Sequence, residues 1–585
     1  MCNRIGRRLM QPFAALAVAI PCSVALSATR PADAPRFYDD DPLWEEASTQ
    51  DGSGVQPGEV SLSWDMVENL LGKPGDPDFD RRAMNVNTVD EVPDGAWFTN
   101  RAGARRLTPE EVARAGSDGE GPASGRWTVV SAKSDGITPG FTVRDTRGVV
   151  WFIKLDPPGW QGMATGTEIV AARLFWALGY HVPEYHVAKL RIDDFVIDPD
   201  AEFTPPDAET RAMEHRDIEW LLEQADRSSD GGYRVSASKA LPGRPLGGFR
   251  FYGTRPDDPN DVFPHEHRRE LRGYGTFAAW LNHVDAKSIN TLDTVVSEEG
   301  RAYVRHHFLD FGSTLGSAAV FPREYWEGHE YLVEPKEIGK GVLGFGFYRH
   351  PWRTTRVYEA RSVGRIPDDP NWDPELWKPR IPNPAFLRAR LDDKFWAARR
   401  VAAITDQMIG AAVATGQFGD PDAEAALSRI LIQRRDAIVR RYLPAINPVV
   451  NPTLDDDGLT FENAAVEARV AAEPKGYRAD WAAFDNTTGE TRPIARTRGS
   501  GPRLRAPADL PRASGAFVRV AISAVGAPRA EWEEPLLAYF RRSGTEWKLV
   551  GLDRLWVEKS HRSAGLPSIP LRPGKPRPTC ASRTE

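Results

Sequence analysis

A single change of periodicity constrains this chain more than any other feature. From Trp127 onward the apolar residues come in short runs: residues 127–132, 141–145 and 149–155 read as three strands joined by turns that hold Gly136, Gly140 and Arg147-Gly148. At Thr167 the period lengthens. Ile169, Ala172, Leu174, Phe175 and Leu178 gather on one side of a predicted helix that stops at Gly179. Strand character returns over 183–196 and 233–241. A long helix is predicted from His267 to about Leu281, with Leu271, Tyr274, Phe277, Ala278 and Leu281 on its buried face, and 385–445 is helical throughout. Beyond Pro448 strands return, at 517–523 and in a hairpin of 536–540 with 547–552 across Ser543-Gly544. The fold class that follows is α+β, with β-rich and helical parts segregated along the chain.

The same reading divides the chain. Residues 1–34 form a signal segment: Arg4, Arg7 and Arg8 precede an apolar run over 13–28, and small residues follow at Ala25-Leu26-Ser27 and Ala32-Asp33-Ala34. The protein is therefore expected to be exported, to the periplasm, the cell surface or the medium. An uncleaved segment would instead anchor it to the membrane through 13–28. Residues 35–125, rich in Asp, Gly and Pro, are an irregular lead-in. A β-rich unit spans 126–250, with a polar, acidic insertion at 198–232; a helical unit spans 251–447. A second β-rich region covers 448–561, and 562–585, rich in Pro and Arg, is expected to be disordered. Of the cysteines, Cys2 and Cys22 lie in the signal segment, so cleavage leaves Cys580 without an intrachain partner. Such a chain must stand on its hydrophobic core, which 585 residues are enough to bury.

At 41% hydrophobic and 27% charged residues the composition is that of a globular protein, and a net charge of −7 removes nucleic acid as a bulk electrostatic partner. The basic side chains are 14 lysines against 61 arginines, a surplus that reads as codon composition. Scarce lysine makes each lysine in a chemical setting informative.

Two lysines stand in such settings. His283-Val-Asp285-Ala-Lys287-Ser-Ile-Asn290 follows the long helix, and Asp310-Phe311-Gly312 follows a predicted strand at 303–309. Upstream, Lys154 lies on the third strand among Trp151, Phe152, Ile153 and Leu155, an apolar surround that calls for a partner or ligand. Glu168 follows on the next helix.

In these motifs the chain resembles the protein-kinase-like superfamily, in an atypical branch such as the HipA-like, Fam20-like or CotH-like proteins. His-x-Asp-x-Lys-x-x-Asn matches its catalytic loop and Asp-Phe-Gly its metal-binding motif. The resemblance covers about 127–445 and implies a two-lobed fold, β-rich N-lobe before helical C-lobe, with 448–561 outside it. It implies a phosphotransferase that moves the γ-phosphoryl group of ATP to a hydroxyl acceptor with Mg²⁺. Asp285 would accept or orient the acceptor's proton, and Lys287 would neutralise the transferring group. Asn290 and Asp310 would hold Mg²⁺, and His283 would brace the loop. Lys154 and Glu168 would form the nucleotide-phosphate ion pair, and Gly136 and Gly140 would flank the phosphate-covering loop. An ordinary hairpin turn explains that glycine pair as well.

The family's Ala-Pro-Glu motif has only Glu334-Pro335-Lys336-Glu337 as a poor stand-in. His215-Arg216-Asp217 imitates the catalytic tripeptide, but Glu219 and Leu222 replace the lysine and the asparagine, so it is rejected. His306 and His307 are adjacent on a strand and face opposite ways, which suits packing better than shared metal ligation. Two other functions remain open: an exported kinase-like binding module without phosphotransfer, since ATP is scarce outside the cell, or an adhesion or carbohydrate-binding role for 448–561 built on Trp481, Phe484 and Trp547.

Overall fold

The computed structural model describes residues 34–554, apart from 47, 134–139, 206–208 and 345–346. The signal segment up to residue 33, Gly136, Cys580 and the Pro/Arg-rich C-terminus lie outside the described residues. The fold is a mixture of α-helices and β-sheets. Among the described residues no helix is long and apolar enough to cross a membrane.

The first large sheet has seven strands. β1 (Trp127–Lys133), β2 (Gly140–Arg144) and β3 (Val150–Leu155) form an antiparallel meander, as their alternating patterns predict. Helix α1 (Met163–Leu178) follows, then β4 (Tyr185–Leu190), β5 (Phe195–Phe203), β6 (Arg211–Ala212), helix α2 (His215–Glu223) and β7 (Tyr233–Lys239). The spatial order is β4-β7-β3-β2-β1-β5-β6, and β5 joins β1 in parallel. The acidic 198–232 stretch is thus continuous with the sheet: Ala201 and Phe203 on β5 turn inward and pack with Ile218, Leu221 and Leu222 of α2. Isolated apolar residues between acids are too sparse to show a strand period, which is why the sequence read as polar insertion.

β8 (Arg244–Gly247), β9 (Thr291–Glu298) and β10 (Arg301–Phe308) make a three-stranded sheet beside α3 (Arg269–Leu281). Helices α4 (Leu391–Ala402), α5 (Asp406–Thr415) and α6 (Pro421–Tyr442) pack round α3 and α1. The second half of the helical stretch breaks at Thr405 and Asp420, whose side chains cap α5 and α6. α3 is buried on every side, not only along its apolar stripe. Its charged residues are cross-linked: Arg269 bonds Asp90, Asp392 and Asp393 at 2.8, 3.0 and 3.0 Å, and Arg272 reaches Asp393 at 3.1 Å. Losing one member of such a buried set costs about 3–5 kcal/mol. Part of the arginine surplus therefore works as buried cross-links.

The lead-in is mostly irregular in backbone, with short helices at Leu62–Val67 and Pro109–Arg114, yet it is packed: Val89, Val92, Trp97, Phe98, Leu107 and Val112 enter the main core. After Pro448, strands Gly476–Phe484, Phe517–Val525, Leu536–Ser543 and Glu546–Arg554 belong to a five-stranded antiparallel sheet. Its inner face continues the same core. Trp481 and Phe484 are buried and Trp547 is half-buried, so these aromatics are packing groups rather than an exposed binding face.

Candidate functional site

The site begins where β3 hands over to α1. Asp156, two residues past Lys154, accepts the backbone N–H groups of Gly162, Ala164 and Thr165 at 2.7–2.9 Å and the Thr165 hydroxyl at 2.7 Å. It caps four residues earlier than the predicted helix start and satisfies the orphan donors of α1's first turn. Cap and strand together place Glu168, one turn in, beside Lys154. Lys154 Nζ donates to Glu168 Oε1 at 2.7 Å and to Asp310 Oδ1 at 2.7 Å. Glu168 is 2% exposed at its side chain, and its second oxygen accepts from Ser236 Oγ at 3.0 Å on β7. Burial alone would lower the Lys154 pKa, but Asp310 and Glu168 outweigh it and hold the ammonium charged. Gly140 pairs with Lys154 across the β2–β3 ladder. A Cβ there would sit 2.5 Å from the Ile153 carbonyl oxygen, so close backbone approach alone requires this glycine.

Asp310 has φ 60°, a left-handed conformation that aspartate tolerates better than most residues. The turn sends Phe311 into the core, where it stacks on Phe175 of α1 at 5.0 Å, and leaves the Asp310 carboxylate facing Lys154, 47% exposed. An aromatic anchor beside a carboxylate bonded to Lys154 explains that motif's arrangement.

The second half of the site is the loop after α3. Asp285 Oδ1 meets Lys287 Nζ at 2.7 Å and Arg380 Nη1 at 3.5 Å. Asn290 Nδ2 donates to the Asp285 carbonyl at 2.8 Å and to its Oδ2 at 3.0 Å. Burial pushes the Asp285 carboxyl up, but Lys287 and Arg380 outweigh it and keep the group below the usual range, hence ionised. His283 is buried, which lowers its pKa to about 4, and its Nδ1 pairs with Thr314 Oγ1 at 2.9 Å. The neutral ring braces the loop against the segment after Gly312. Leu309 N–H donates to the Asn290 carbonyl at 3.1 Å, which ties the two halves together.

The structure thus brings Lys154, Glu168 and Asp310 into one cluster and Asp285, Lys287 and Asn290 into an adjoining one. Asp217 of the rejected tripeptide sits on α2, bonded to Arg211 at 2.6 and 2.8 Å. His306 bonds Asp293 at 2.7 Å and stacks on Trp97, while His307 contacts Thr294, so the pair does face opposite ways. Arg380, Ser236 and Thr314 carry no sequence signal, since each acts from a distant segment. Asp156 did carry one, as a capping residue shortly before a helix.

No family model matches the chain, and no curated protein matches it. Two solved structures are similar to it in part. A proinflammatory kinase of Helicobacter pylori, CtkA, aligns at 13% identity and TM-score 0.27, over 58% of this chain and 96% of that one. A Golgi casein kinase aligns at 10% identity and TM-score 0.28, over 71% of this chain and 97% of that one.

Proposed function

We propose that the chain is a Mg²⁺- and ATP-dependent phosphotransferase of two-lobed kinase-like fold, acting on a hydroxyl acceptor. One observation carries the reading: a single lysine ammonium bonds both a helix glutamate and the aspartate of Asp310-Phe311-Gly312, 14 and 156 residues away. Phosphoryl transfer asks mainly for positioned charge, and this arrangement supplies it.

Lys154, fixed by Glu168, would take the nucleotide phosphates. The metal's expected donors fit it: Asp310 offers a carboxylate and Asn290 an amide oxygen, both hard ligands, with the Asn290 nitrogen committed to Asp285. Mg²⁺ there would neutralise phosphate charge. Asp285, ionised, accepts the acceptor's proton as the acceptor oxygen bonds to the γ-phosphorus and the bond to the ADP oxygen breaks. Lys287 offsets charge on the group in transit.

The test is a thermal-shift titration with Mg-ATP. Wild-type protein is expected to be stabilised and Asp310→Ala to lose the response. No shift with any nucleotide and divalent cation would overturn the reading.

A further inference from the structure

The lead-in carries a helix, Leu62–Val67, that continues through a π-type turn, Glu68–Gly72. Its orientation is the reverse of what the hydrophobic effect alone would choose. Trp64, Val67 and Leu71 share one face and are 56%, 46% and 78% exposed, whereas Asp65 and Asn69, one turn apart, are buried. A buried carboxylate needs a compensating set of donors. Asp65 Oδ1 accepts from Ser288 Oγ at 3.1 Å and from Asn69 Nδ2 at 3.0 Å. Burial raises the Asp65 pKa, partly offset by bonds from the Ser288 side chain, from Asn69 and from the Ser288 backbone.

Ser288 opens the one-turn helix Ser288–Asn290, whose preceding residue, Lys287, provides no side-chain cap of its own. Its tie comes from 223 residues earlier in the chain, where Asp65 Oδ1 accepts from the Ser288 hydroxyl. Lys287 stands at the start of this turn and Asn290 at its end, so a tie at Ser288 bears on both. The end of the turn is tied to the rest of the molecule by Leu309 N–H on the Asn290 carbonyl at 3.1 Å and Phe249 N–H on Thr291 Oγ1 at 2.9 Å, and Asp65 supplies the matching side-chain tie at its start. π-type turns themselves cluster at functional sites.

We infer that Asp65 is a positioning residue of the phosphotransfer site: through the Ser288 hydroxyl it anchors the start of the Ser288–Asn290 turn from the lead-in and so helps to place Lys287 and Asn290. The inference rests on the proposed activity for its catalytic consequence, and on geometry alone for the anchoring. The lead-in is then a working part of the site, which a unit beginning at Trp127 would lack.

The test uses the full chain with Asp65→Ala, Asp65→Asn and Ser288→Ala, read by nucleotide turnover and by amide hydrogen exchange across 285–292. Asp65→Ala and Ser288→Ala are expected to lower kcat about tenfold with the KM for ATP within twofold, and their combination to add nothing further. Asp65→Asn, which keeps an acceptor oxygen, should recover most of the rate. Exchange at 288–290 should quicken in Asp65→Ala while α3 stays protected. Wild-type rates, or unchanged exchange at 288–290, in Asp65→Ala would overturn the inference, as would additive losses in the double variant. If the wild type itself turns over no nucleotide, the proposed activity fails, and the exchange measurement still decides the anchor. If Asp65→Ala does not fold, Ser288→Ala, which removes the other end of the bond, gives the same decision.

Discussion

Replacing Lys154 by methionine keeps most of the side chain's apolar stem and removes one partly buried cation. Glu168, 2% exposed, would retain Ser236 Oγ as its hydrogen-bond donor. Stripping one partner from a buried pair costs about 3–5 kcal/mol. Lys154 is itself 30% exposed at its side chain, so water can reach the vacated place, and the lower end, about 3 kcal/mol, applies. An unfolding entropy of about 2.1 cal/mol/K per residue over roughly 500 folded residues is about 1 kcal/mol per kelvin, so the melting midpoint should fall by about 3 °C. The deficit depends on pH in a definite direction. Burial already pushes the Glu168 carboxyl above its ordinary 4.5 against the pull of Lys154, and the variant loses that pull. A folded-state pKa above the unfolded one gives stability that is complete below the unfolded pKa and is lost as pH rises through the folded pKa. Lys154→Met should therefore melt close to wild type near about pH 4 and show the full deficit near about pH 8. Adding Glu168→Gln removes the stranded charge and should bring the midpoint back to within about 1 °C of wild type at both pH values. Melts followed by circular dichroism decide it. A wild-type midpoint for Lys154→Met at the higher pH, or a double variant as weak as the single, would refute the reasoning.

Three further outcomes follow from the same geometry. Asp285→Asn should abolish phosphotransfer while leaving Mg-ATP stabilisation in place, read by turnover and thermal shift on one preparation. Phe311→Ala empties a fully buried ring site against Phe175 and should cost about 3–5 kcal/mol, read by chemical unfolding, with a weaker Mg-ATP response. His283 is held neutral by burial, its pKa lowered from 6.5 to about 4, so the unfolded chain takes up its proton first as pH falls. That group alone should withdraw about 3 kcal/mol of stability across the window from 6.5 to about 4, and His283→Gln should flatten the acid side of the melting profile.

What the sequence showed and what it hid separate along physical lines. The strands through Leu155 and the loop from His283 to Asn290 were legible because each is a local pattern, an alternation or a fixed spacing within a few residues. Glu168 was legible as a residue, but its helix begins earlier than expected because Asp156 supplies a cap before the apolar stripe starts. The lead-in read as loose chain because its order comes from distant partners. Asp90 is held by Arg269, Asp65 by Ser288, and Trp97 by its stack on His306. Arginine posed the same difficulty: a count cannot tell a surface charge from Arg269, which is wholly buried among three aspartates. Gly140 is the instructive case of two explanations at one position, since strand packing requires a glycine there whether or not phosphate approaches.

The most direct measurement of the central claim is mass spectrometry of the protein and its nucleotide after incubation with Mg-ATP, alone and with protein and small-molecule hydroxyl acceptors. The account predicts conversion of ATP to ADP with the phosphoryl group recovered on a hydroxyl, and loss of that conversion in Asp285→Asn and in Asp310→Ala. ATP left intact under every acceptor, or conversion that persists in both variants, would contradict it.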